Sequence, residues 1–177
     1  MIDFRILPMT ELRTRPGEIL DRVADQGESF LIERNGQRKA CLVPLTVFLP
    51  DVAPARIAEE LEELEKADFA FRTTVTNDRE IAIIVPVNTD QDTVDVEIVL
   101  PNGYPNACPR VYIHSIDDVK VPHRWADGTL CIFGVMSHWN PGKHGVALTL
   151  NLSQRWLKNY SIWRATGAWP ATEVSND

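Results

Sequence analysis

Cysteine is scarce in this chain, and long apolar runs and a surplus of positive charge are missing altogether. The three cysteines, Cys41, Cys108 and Cys131, are odd in number and widely spaced. That usage speaks against a disulfide framework and fits a reducing cytoplasm. No run approaches the roughly 18 apolar residues needed to cross a bilayer, so no membrane segment is expected. The opening residues, MIDFRILPMTELRTRPG, lack the basic-then-apolar layout of a secretory signal. A net charge of −7 argues against a nucleic-acid coat. There is no glycine-rich phosphate loop, so no nucleotide cofactor is expected. What is present is ordinary for a globular protein: 44% hydrophobic and 24% charged residues. A length of 177 residues suits one large domain or two small ones.

Charge is shared unevenly along the chain. Residues 1–45 hold seven Lys/Arg and seven Asp/Glu, whereas the remainder holds eleven and eighteen. Prolines in TVFLPDVAP punctuate the chain near residue 50, giving expected domains at 1–50 and 51–177. In the first, MIDFRILP is a short apolar lead-in. Leu12, Ile19, Leu20 and Val23 recur at helical spacing, and Pro16-Gly17 divides that stretch into two helices. Asn35-Gly36 between SFLIER and QRKACLVPL predicts a hairpin, because both central turn residues need φ > 0. Cys41, in the second of these runs, reads as a small buried hydrophobe.

Met9 to Leu45, taken as an ordered whole, resembles the N-terminal domain of the Phd/YefM antitoxin family. The resemblance implies a small αβ module that forms a homodimer and can bind operator DNA, with Arg13 and Arg15 facing it. Segment neutrality weighs against the DNA part, since phosphate contacts need uncompensated positive charge.

Beyond residue 50, PARIAEELEELEKAD places Ile57, Leu61 and Leu64 on one helix face. Its other, acidic face reads as solvated. FAFRTTV, EIAIIVPV, TVDVEIVLP and RVYIHSI read as four strands of an antiparallel meander. An irregular stretch from Asp117 to Gly145 contains Val119, Val121, Trp125, Leu130, Ile132, Phe133 and Trp139. That apolar content predicts a segment packed on the domain and holding a site. A final helix carries Leu152, Trp156, Tyr160 and Trp163 at near-helical spacing. The fold class is therefore α+β, a sheet packed against helices.

YPNACPRVYI and DGTLC, with a tryptophan following in HWNP, bring this second part close to a known family. From about residue 54 it resembles a divergent bacterial ubiquitin-conjugating enzyme (UBC-like), with Cys131 at the nucleophile position. The resemblance implies a carrier that accepts a ubiquitin-like protein as a thioester from an activating enzyme and passes it to an acceptor. Bacterial versions sit in conjugation or antiphage-defence operons. Cysteine suits such work because a thiolate is strongly nucleophilic and its thioester stays reactive toward nitrogen. Asp127-Gly128 supplies the tight turn presenting Cys131, so the site residues expected are Cys131, His123 and Asp127.

The family's usual His-Pro-Asn is replaced by VPHRWADG, which puts His123 where the asparagine is usual. A histidine there can donate to an oxyanion, take a proton from the nucleophile, or simply pack the loop. The tryptophans 139, 156, 163 and 169 read as core and clamp residues, and Cys108 beside Pro109 as structural. His123, Cys131, His138 and His144 lack the tight paired spacing of a zinc site, so no metal is expected. A papain-like arrangement is absent as well. Two alternatives remain: a UBC-like binding module without chemistry, and an antitoxin-like autorepressor.

Overall fold

The computed structural model describes residues 3–48, 54–116, 120–133 and 139–170. By its internal contacts the chain divides into two compact units, Met1–Pro50 and Asp51–Asp177. No helix among the described residues is long and apolar enough to cross a membrane.

In the first unit, β1 (Phe4–Pro8) leads into α1 (Met9–Thr14) and α2 (Pro16–Gln26). Pro16 opens α2 at its first turn, where its missing N–H costs nothing, and thereby separates the two helices. The helices are followed by β2 (Ser29–Arg34), β3 (Gln37–Leu42) and a short α3 (Leu45–Phe48). Asn35 and Gly36 take φ of 52° and 73° at the hairpin. The apolar lead-in is itself a strand, lying parallel to β2 at one edge of a three-stranded sheet. Leu7, Ile19, Val23 and Phe30 form a small core between sheet and helices.

Cys41 departs from expectation: it is exposed. It pairs with Leu31 on β2, which pairs in turn with Ile6 on β1. Because side chains alternate across a strand, these three share the sheet face opposite the Leu7 core.

The second unit begins with α4 (Pro54–Lys66), followed by β4 (Arg72–Val75), β5 (Ile81–Asn88), β6 (Thr93–Leu100) and β7 (Arg110–Tyr112). The four strands form an antiparallel sheet in sequence order. α5 (Val146–Thr166) closes the unit after the irregular segment. Outer strands β4 and β7 are shorter than their β-branched stretches suggested. Ile83, Val85, Val96, Ile98 and Leu100 pack inward with Leu64 of α4 and Leu150 of α5, all at or below 1% exposure.

The acidic face of α4 is not wholly solvated, because Glu60 is 1% exposed. Arg56 Nε donates to its Oε1 at 2.8 Å, and the Tyr104 hydroxyl donates to the same oxygen. The Val146 N–H donates to Oε2 at 2.6 Å. α5 has no side-chain cap of its own at Gly145, so α4 lends it one. A carboxylate suits that end of the helix, where N–H groups lack intrahelical partners and the dipole is positive.

Candidate functional site

The site lies in the segment between β7 and α5. Its frame is a very small hairpin. Trp125 N–H donates to Thr129 O at 2.8 Å and Gly128 N–H to Trp125 O at 3.0 Å, closing the turn Trp125–Gly128. Gly128 takes φ 87° there, a backbone state that a side chain would oppose. Arg124 bridges Leu130 across the hairpin, and Cys131 N–H donates to His123 O at 2.8 Å at its open end. The Leu130 N–H meanwhile reaches Val111 O on β7 at 2.9 Å. Cys131 is thus the final rung of a hairpin whose neighbouring residue is bonded to the sheet.

Asp127 orders the turn. Its Oδ1 accepts both the Thr129 N–H at 3.0 Å and the Thr129 hydroxyl at 2.7 Å. Those two bonds hold its carboxyl below the ordinary aspartate value. It is therefore an anion at neutral pH, with no proton to give as a general acid.

His123 is exposed, with a left-handed φ of 56°. Its carbonyl accepts two donors, Cys131 N–H and Trp156 Nε1–H at 2.9 Å. Through this oxygen the Cys131 backbone is tied to α5. The imidazole packs at 5.1 Å against Trp169, which also packs at 5.6 Å on Trp156. Gly167, at φ 74°, ends α5, and two residues further on Trp169 stands over Trp156 again.

Two cavities meet at Cys131. One, of about 110 Å³, is walled by His123, Trp156, Arg155, Asn159 and Trp169. The other, of about 210 Å³, is lined by Cys108, Arg110, Trp125, Thr129 and Phe133. Cys131 is half-buried and borders both. Cys108 shares only the second, and burial pushes its thiol up to about 11. At neutral pH it is then about one part in ten thousand thiolate, unsuited to nucleophilic attack. A larger hollow of about 330 Å³, between the β5–β6 turn and α5, is lined by Asn88, Asp90, Gln154 and Lys158 and includes no cysteine.

The tryptophans behave as clamps. Trp156 is 4% exposed, and Trp139 donates Nε1–H to Pro105 O at 2.6 Å while packing edge-on against Phe133. His144 accepts the Asn140 N–H on Nδ1 at 3.0 Å, and its carbonyl accepts from Arg56 at 3.1 Å. His138 and Val119 lie outside the described residues. Among those described, no three His, Cys, Asp or Glu side chains gather to hold a metal. Arg155 and Asn159 were not foreseen as site residues. Their signal was their spacing from Trp156, which means something only once Trp156 is known to reach the His123 carbonyl.

Residues 5–71 match the family described as Antitoxin Phd_YefM of type II toxin–antitoxin systems, a match that runs past the first unit into β4's approach. No curated protein matches the chain. Among solved structures, one described as "A complex of the Vps23 UEV with ubiquitin" has a TM-score of 0.44 at 16% identity, covering 64% of this chain and 89% of that one. Residues 60–176, which include the second half of α4, the whole meander, the Cys131 hairpin and α5, match the family described as Type II CBASS E2 protein. The chain therefore belongs to the Type II CBASS E2 family, with a Phd/YefM-like segment at its N-terminal side.

Proposed function

We propose that this protein is a cysteine-dependent carrier, taking a ubiquitin-like protein as a thioester on Cys131 from an activating enzyme and handing it to an acceptor. Membership of the family supports a role in ubiquitin-like conjugation in bacterial defence. The observation that carries the catalytic reading is the setting of Cys131. It ends a hydrogen-bonded hairpin, it borders two open cavities, and the other cysteine of the unit is held protonated. Two large partners can reach a thiol at such a place. Asp127 acts by holding the turn, and His123 contributes its carbonyl to position the nucleophile and its ring to the cavity wall. The activating enzyme would spend the ATP.

In the first unit, Phe4 and Ile6 stand 37% and 47% exposed on one sheet face. This apolar face supports homodimerisation through residues 1–50. Operator binding has less support: Arg15 is paired with Glu11 at 2.8 Å and with Glu18 at 3.3 Å, which neutralises one of the two candidate arginines.

The decisive test is intact-mass spectrometry after incubation with the activating enzyme and ubiquitin-like protein encoded alongside, with ATP. The native protein should gain a reductant-labile adduct, and Cys131→Ser should lose it or form a reductant-stable oxyester. Binding of both partners without any adduct would leave a non-catalytic module. In the same assay, a His123→Ala protein that loads and discharges normally would remove the imidazole from the chemistry.

A further inference from the structure

Thioester chemistry at Cys131 needs more than a thiol. On loading, a C–S bond forms from Cys131 to the acyl carbon and the C–S bond to the activating enzyme's thiol breaks. That thiolate departs, and the Cys131 proton is released. On discharge, an acceptor amine forms a C–N bond, the Cys131 thiolate leaves, and the surplus ammonium proton passes to solvent. Both steps go through a tetrahedral intermediate with a negatively charged oxygen, which fixed donors stabilise.

The hairpin backbone offers little for that task. Cys131 N–H is committed to His123 O, and Leu130 N–H to Val111 O. Among side chains, Trp156 Nε1–H is committed to the same His123 carbonyl, and Asp127 is an acceptor. Beside the His123 ring and the Trp169 indole in the cavity next to Cys131, α5 brings two further donors, Arg155 and Asn159. Neither has a side-chain hydrogen bond or ion pair among the described residues. They flank Trp156 on α5 at one and three residues, so Asn159 and Leu152 share its helix face, one turn to either side. The bond from Trp156 to His123 O brings that face against the nucleophile's own backbone.

Resting on the thioester reading of Cys131, we propose that Arg155 and Asn159 supply the oxyanion donors, binding the acyl carbonyl of the carried protein's C-terminal tail. The guanidinium contributes a permanent cation and two parallel N–H groups, the carboxamide a neutral donor. Both come from a long, packed helix rather than from the loop. Their backbone positions are therefore set before the acyl group arrives, and the side chains close on it.

The test follows discharge of the loaded full-length protein to hydroxylamine, a small nucleophile that needs no docking. Arg155→Ala and Asn159→Ala should each slow discharge, by about a hundredfold for the stronger donor. Arg155→Lys should recover part of the loss, and Asn159→Asp should be slower than Asn159→Ala because it sets a negative charge beside the oxyanion. Loading should show a lower kcat with an unchanged KM for the activating enzyme. Arg155 is exposed and Asn159 unbonded, so thermal unfolding should not move. Loaded variants that discharge at the native rate would overturn the assignment while leaving the thioester intact, as would a rise in KM alone, the mark of a docking role. A native protein that never loads would overturn both.

Discussion

Glu60 keeps a carboxylate out of water and gives it three donors, from Arg56, Tyr104 and the first N–H of α5. Burial, with Glu60 alongside, pushes the Tyr104 hydroxyl well above the ordinary tyrosine range, so it stays a donor at any ordinary pH. Glu60→Ala should cost about 3 kcal/mol, because it removes the buried carboxylate partner of Arg56 and uncaps α5 at once. Urea unfolding of the full chain measures this. The same carboxylate explains Gly145, whose φ of −139° any residue could adopt. An added Cβ would stand 2.6 Å from Glu60 Oε2 and 3.0 Å from Oε1. Gly145→Ala should therefore destabilise by about 1–3 kcal/mol through steric overlap, in the same denaturation experiment. Neither role was legible beforehand. Glu60 sits in a run of glutamates that differ from one another only by which way α4 turns them.

At the scale of elements, α5 is the part that joins structure to chemistry. Its N-terminus is capped from α4, its middle reaches the His123 carbonyl, and Trp169 beyond its C-terminal glycine walls the Cys131 cavity. Trp156→Phe keeps an aromatic ring but deletes one donor and part of the buried bulk. It should lower stability by about 1–3 kcal/mol and raise the alkylation rate of Cys131 by iodoacetamide, since the backbone holding that residue loses one of its two ties. An unchanged alkylation rate would show that the hairpin holds Cys131 unaided. The helix itself and the turn at Asp127-Gly128 were both readable from spacing and turn chemistry. The link between them was not, because it joins residues 33 apart in the chain.

At the scale of the molecule, the chain forms two compact units, and the proposed function assigns dimerisation to the first and conjugation chemistry to the second. Residues 51–177 alone should be a monomer by light scattering and should still load a thioester, whereas the full chain should be a dimer. A truncated protein that remains dimeric would move the dimer contact into the second unit. A dimer would hold two Cys131 sites in one particle and raise avidity for an assembled partner. The order of elements, the Asn35-Gly36 hairpin, the split at Pro16 and the prominence of Cys131 all follow from periodicity, turn residues and motif, which are local along the chain and so visible in it. Packing alone decided that Glu60 is buried while Cys41 is exposed, that Cys108 stays a thiol, and that Arg155 and Asn159 stand at the cavity beside Cys131. Each of these depends on which faces meet when distant segments come together, and burial, desolvation and proximity exist only after they do.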